Sequence, residues 1–196
     1  MRIGKIERKT NETDISLELN LDGEGICDVQ TGVGFFDHML HQIARHGVMD
    51  LRIKAQGDLH IDPHHTVEDV GICLGYAFRE ALGTPAGIQR YGFASVPMDE
   101  ALGEASIDIS GRPFLVFNAS IPGERVGQFD TELAEEFFRA FAMNARLTLH
   151  LNLRYGTNSH HCIEALFKAA ARALRQAVSN DPRVPGVPSS KGALDT

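Results

Sequence analysis

The chain switches between two hydrophobic periods, and it does so twice. Ile15-Ser16-Leu17-Glu18-Leu19-Asn20-Leu21 alternates apolar and polar residues, the period of a half-buried strand. Residues 3–30 as a whole read as strands interrupted by the turn residues Asp22-Gly23-Glu24-Gly25. From Phe35 the period changes. Phe36, Met39, Leu40 and Ile43 recur at helical spacing and predict a helix over 35–47, with Gly47 placed to cap its end. Alternation returns over 50–58 through Leu51, Ile53 and Ala55. Asp62-Pro63 then reads as an N-cap followed by proline at the first helical position. The helix after it carries Val67, Val70, Leu74, Phe78 and Ala81 on one face, and Gly83-Thr84-Pro85 stops it.

The second half repeats this order. Residues 106–110 and 114–117 read as strands, and 133–143 as a helix buried through Phe137, Phe138 and Phe141. Residues 147–153 alternate again. Asn158-Ser159 offers an N-cap for a helix from His160 to about Val178, whose apolar face is Ile163, Leu166, Phe167, Ala170 and Leu174. At an offset of 96, Leu51 matches Leu147, Ile53 matches Leu149, Val67 matches Ile163 and Val70 matches Leu166. Each half therefore runs strands, helix, strand, helix. A sheet with two helices on one face would bury their apolar stripes, and two such halves can pack as a pseudo-symmetric pair. The expected fold is α+β with internal duplication: a first repeat over 1–87, a second over 88–180, and a Pro- and Gly-rich extended arm over 181–196.

Composition changes this picture little. Of 196 residues, 43% are hydrophobic and 23% charged, ordinary for a globular protein that needs no staples. A net charge of −7 argues against nucleic acid as a partner, although local arginines can still hold an anionic substrate. Cys27, Cys73 and Cys162 fit no disulfide or zinc framework. The N-terminus lacks an apolar signal segment and no stretch is apolar for long enough to span a bilayer, so a cytoplasmic protein without a membrane partner is expected. The nine histidines do change the picture, because seven of them fall in clusters.

His64-His65-Thr66-Val67-Glu68 recurs as His160-His161-Cys162-Ile163-Glu164, so candidate metal ligands repeat together with the core. Residues four apart share a helix face, so His64 with Glu68, and His160 with Glu164, can reach one ion. His65 and His161 are each rotated by about 100° from that face. If the two helices lie side by side, His65 completes the site begun by His160 and Glu164, and His161 completes that of His64 and Glu68. Two imidazoles and a carboxylate suit manganese, iron or zinc. His38, His41 and His46 form a further run on the preceding helix, whereas His60 and His150 lie in strand patterns and read as structural.

Phe35-Phe36-Asp37-His38-Met39-Leu40, Asp62-Pro63-His64-His65-Thr66-Val67-Glu68-Asp69, Asp108-Ile109-Ser110-Gly111-Arg112-Pro113 and Asn158-Ser159-His160-His161-Cys162-Ile163-Glu164-Ala165 resemble the imidazoleglycerol-phosphate dehydratase family of histidine biosynthesis. The resemblance runs from about residue 3 to residue 194. It implies two four-stranded, two-helix halves packed face to face, a shell of 24 subunits with active sites between them, and two manganese ions per site. One ion is expected on His38, His65, His160 and Glu164, the other on His64, Glu68, His161 and Glu136. Glu136 stands where some family members have histidine; a carboxylate can also bind manganese. The implied reaction dehydrates imidazole-glycerol phosphate to imidazole-acetol phosphate by a metal-stabilised imidazolate and diazafulvene route. Glu12 is implied as the base, with His38, His65 and Glu164 also catalytic, and Asp99-Glu100 is a rival acid–base pair. Arg90, Arg112, Ser190 and Lys191 are implied phosphate contacts. Substrate contacts are also implied for Glu12, His38, His46, His64, His65, Glu68, His160, His161, Lys168 and Gly192. Two other readings remain open on the residues alone: a dinuclear hydrolase, and a non-catalytic shell whose metals cement subunits.

Overall fold

The structure is a computed structural model and describes residues 1–190 and residue 194. Its elements run β1 (Ile3–Lys9), β2 (Thr13–Asn20), β3 (Cys27–Gln30), α1 (Gly34–Gly47), β4 (Asp50–Gly57), α2 (His64–Leu82), β5 (Tyr91–Met98), β6 (Ala101–Asp108), β7 (Phe114–Asn118), β8 (Arg125–Val126), β9 (Phe129–Asp130), α3 (Leu133–Ala145), β10 (Thr148–Tyr155) and α4 (Ser159–Val178). Two four-stranded sheets have the same topology, β1-β2-β4-β3 and β5-β6-β10-β7. In each, the last-named strand is parallel to its neighbour and the other pairs are antiparallel. α2 covers the first sheet and α4 the second, while α2 packs on α3 and α1 on α4. The four helices therefore form the middle of the molecule, with one sheet outside each pair. The expected duplicated α+β fold is present.

The alternation read from sequence explains the sheets. Leu17 pairs with Ile53 and Leu19 with Leu51 in the first; Ile107 pairs with Leu149 and Ala105 with Leu151 in the second. All eight side chains are buried. One core joins both halves, with Phe36 of the first against Phe137 of the second at 5.3 Å between ring centres and Phe78 against Phe141 at 5.9 Å.

The duplication reaches down to single glycines. A Cβ on Gly4 of β1 would lie 2.0 Å from the carbonyl oxygen of Ala77 on α2, and one on Gly92 of β5 would lie 1.9 Å from that of Ala173 on α4. Only glycine allows each edge strand to approach its helix so closely. Gly92→Ala is expected to force α4 from β5 and to lower stability by about 1–3 kcal/mol, the usual cost of overpacking. A shifted midpoint in chemical denaturation reads this out, and an unmoved midpoint would show the strand to be compliant there.

Several local expectations are corrected. β5 escapes the hydrophobic pattern because Tyr91 and Phe93 point outward at 57% and 58% exposure while Gly92 faces in. Pro97 also argues against a strand, yet β5 is an edge, where a missing N–H is tolerated. Gly47 does not cap α1; it is the last helical residue, and the cap is Val48, in the left-handed conformation at φ 53°. Arg146 does the same after α3 at φ 52°, so this C-cap recurs 98 residues later. His60 lies in the turn after β4, not in a strand. Asn158 caps α4 as expected, accepting from the backbone N–H of His161 (3.2 Å), whereas α2 begins at His64 with Pro63, not Asp62, in the capping position; Asp62 sits one residue earlier and accepts from the backbone N–H of His64 (2.7 Å).

Candidate metal centre

α1 and α4 bring together residues 122 or more positions apart in sequence. Nε2 of His38 lies 3.2 Å from Oε2 of Glu164, and Nε2 of His160 lies 3.0 Å from the same oxygen. One ligand atom from each residue lies within 4.8 Å of the other two, and no other group of three such residues is this close among the described residues. That separation matches an ion with bonds of roughly 2.0–2.2 Å to each donor. Phe35 packs edge-on against His160 at 5.0 Å and forms an apolar wall. Glu164 is 5% exposed. Burial pushes its carboxyl up, but the Lys168 ammonium at 2.6 Å and the two imidazoles outweigh this and hold it below the usual range. A buried carboxylate with imidazoles converging on one oxygen is a donor set that fits a divalent metal.

His38 also continues along α1. Its Nδ1 is 3.4 Å from Gln42 Nε2, and Gln42 Oε1 is 3.1 Å from Nε2 of His46. His46 is held below the ordinary imidazole value by burial first, then by the charges of Lys168 and Arg172. It is thus kept neutral, as a hydrogen-bonding ring behind His38.

The twin cluster is more open. Nε2 of His64 is 3.9 Å from Glu68, and both side chains are more than 40% exposed. A Cβ on Gly71 would meet Phe137 and Ala140, and one on Gly75 would meet Asn144 and Ala145. α2 and α3 therefore run in the same direction where they pack. The shared C-cap offset of 98 residues gives Glu136 the register on α3 that His38 has on α1.

The adjacency on which the expected exchange of histidines depends does not exist within one chain. α2 lies along α3 and α4 along α1, because each repeat buries its helices against the opposite repeat. His65 instead directs Nδ1 to Asp58 (2.9 Å) and has Nε2 3.8 Å from Glu12. His161 directs Nδ1 to Glu100 (2.7 Å) and has Nε2 3.8 Å from Asp99. Both imidazoles are held above their usual value, chiefly by those hydrogen bonds. Glu100 is pulled down to about 2 by His161 and by the backbone N–H groups of Asn158 and Thr157. It is an anchored anion, which is a poor proton acceptor.

Arg90 is buried and reaches from Asp108 (2.7 and 3.1 Å) to the carbonyl of Pro188 (2.8 Å), so it fastens the C-terminal arm. Arg112 is more exposed and lies 3.8 Å from Asp108. Ser190 is exposed at the end of the described arm; Lys191 and Gly192 lie outside the described residues. Sequence reasoning missed Asp58 and its contact with His65. The signal available was an aspartate directly after an alternating strand and seven residues before the imidazole.

Fold and donor cluster together define a duplicated α+β protein with a histidine–carboxylate centre suited to divalent metal. The family profile described as Imidazoleglycerol-phosphate dehydratase matches residues 31–174. Among curated relatives, Imidazoleglycerol-phosphate dehydratase of Symbiobacterium thermophilum is 64% identical over 193 residues, covering 98% of this chain and 93% of that one. Its counterpart in Gluconobacter oxydans is 60% identical over 194 residues, covering 98% of each. The crystal structure of the Staphylococcus aureus enzyme aligns with a TM-score of 0.83 at 44% identity, over 91% of this chain and 99% of that chain. That of the Pyrococcus furiosus enzyme, in complex with (S)-C348, aligns with a TM-score of 0.83 at 38% identity, over 96% and 100%. The chain belongs to the imidazoleglycerol-phosphate dehydratase family and is a hydro-lyase. Among the described residues, no helix is long and apolar enough to cross a membrane.

Proposed function

We propose that this chain dehydrates imidazole-glycerol phosphate to imidazole-acetol phosphate and water in L-histidine biosynthesis, with two manganese ions per active site. The observation that carries the metal requirement is the convergence of His38 and His160 on the buried carboxylate of Glu164. His64, Glu68 and Glu136 form the related half-centre, and His65 and His161 supply one further imidazole to each. Because His65 and His161 face away from those clusters within the chain, the two centres are completed between copies. This favours assembly into a large homo-oligomer, 24 subunits in the family pattern.

Bound at these donors, divalent ions would supply Lewis acidity toward the substrate's imidazole ring. The chain's own groups do the rest. Glu12 stands 3.8 Å from Nε2 of His65 and is half exposed, placed to take the proton from the carbon that ends as part of the ketone. His46 and Gln42 steady His38 from behind. Arg112, Ser190 and Lys191 hold the phosphate, with Arg90 seating the arm that carries the last two. Repeats 1–87 and 88–180 and the arm 181–196 act as one catalytic unit.

Incubating manganese-loaded protein with imidazole-glycerol phosphate is expected to give the ketone with no release of inorganic phosphate. Phosphate release without ketone would overturn the reading in favour of a dinuclear hydrolase.

A further inference from the structure

His65 and His161 reach the same geometry by different means. Each ring presents Nδ1 to a carboxylate, at 2.9 Å from Asp58 and 2.7 Å from Glu100, and leaves Nε2 directed outward. The histidines are equivalent in the repeat, but the carboxylates are not. Asp58 follows β4, whereas Glu100 sits in the β5–β6 turn. At the repeat offset, Asp58 corresponds to Arg154. Duplication alone therefore does not account for the pairing; the second repeat makes the same contact from another strand. Asp58 is also costly to bury, because its Oδ1 is buried without a hydrogen-bond partner. Its Oδ2 is the atom that meets the His65 ring.

We propose that Asp58 and Glu100 are positioning residues that fix His65 and His161 with the proton on Nδ1 and the lone pair on Nε2, ready for a divalent cation. The inference rests on the reading of both imidazoles as metal ligands. A carboxylate can only accept, so the ring must donate from Nδ1, and Nε2 becomes the ligand atom. Such partners orient a ligating histidine and raise its basicity; their loss costs about 10–100-fold in metal affinity. Glu100 does more than Asp58. Its Oε1 accepts from the backbone N–H of Asn158 (2.7 Å) and Thr157 (3.1 Å), so one side chain fixes both the ring and the start of the helix that carries it.

The two sites respond differently to an amide. In Glu100→Gln the amide oxygen stays on the backbone N–H groups and the NH2 faces Nδ1. The ring must then accept there, its proton moves to Nε2, and the ligand position is blocked. In Asp58→Asn nothing holds the free oxygen, so the amide can turn it to Nδ1 and keep the tautomer. Asp58→Ala removes the partner altogether.

The test titrates Mn2+ into metal-free protein and follows free Mn2+ by electron paramagnetic resonance. Wild type is expected to bind two equivalents per chain. Glu100→Gln and Asp58→Ala are expected to weaken one of them about 10–100-fold, Asp58→Asn less, with the melting temperature of the metal-free protein nearly unchanged. A merely structural role would move the melting temperature and would not rank the two Asp58 variants in this order. Wild-type affinity in all three variants overturns the positioning role while leaving the metal reading standing. A wild type that binds no Mn2+ removes both. Should Glu100→Gln not fold, the Asp58 pair carries the same decision.

Discussion

Glu12→Gln is expected to keep the full complement of bound metal and to lower turnover by about 10²–10⁴-fold, the usual worth of a positioned general base. The geometry allows this clean separation. The turn carrying Glu12 is tied down by its neighbours: the Thr10 hydroxyl accepts from the backbone N–H groups of Glu12 (3.1 Å) and Thr13 (3.0 Å), and the Thr13 hydroxyl donates to the buried Asp69 of α2 (2.5 Å). The Glu12 side chain itself is half exposed and 3.8 Å from the imidazole of His65. Glutamine has the same shape and disturbs none of those contacts. What it lacks is a lone pair basic enough to take a proton. Steady-state kinetics beside metal analysis by mass spectrometry separates the two quantities, and near-normal turnover would remove Glu12 from the mechanism.

Glu164→Gln has the opposite signature. One metal equivalent per chain is expected to be lost and turnover to fall to background, because Glu164 is the carboxylate that would hold that ion with His38 and His160. Glu164 is the one group on which His38, His160 and Lys168 all converge. Its neutralisation leaves the Lys168 ammonium, 16% exposed, beside an empty ligand position. An uncompensated charge in so buried a place is expensive, so the variant also loses stability. Metal analysis of the purified variant decides the matter; two equivalents retained would place the ion elsewhere.

The chemistry of this centre was legible in sequence wherever it depends on one helix. Histidine and glutamate four residues apart share a face whatever the helix packs against, so His160 with Glu164 followed from spacing alone. The fold was legible for a related reason: buried alternation at Leu17, Leu19, Ile53 and Leu149 leaves little choice of face. Which helix lies beside which is a tertiary matter, and there spacing misled. Adjacent α2 and α4 would have joined His65 to Glu164, but core aromatics such as Phe36 on Phe137 and Phe78 on Phe141 pack the repeats crosswise instead. Strand β5 was hidden because its two aromatic side chains, Tyr91 and Phe93, face outward while Gly92 and the small Ala94 face the core. The pairings of Asp58 with His65 and of Glu100 with His161 were hidden because the path of a loop or turn, unreadable from composition, decides which carboxylate reaches which ring.

The crosswise packing has a historical consequence. His38 comes from the first half of the chain and His160 with Glu164 from the second, so neither half owns a donor cluster. An unduplicated ancestor could have built one only by pairing with an identical copy through a two-fold interface. The interior of the present protein has the form of such a contact, with two sheets of one topology and helices packed across the halves. The halves are not copies of each other, because different carboxylates stand behind His65 and His161, and Glu136 occupies on α3 the register that His38 has on α1.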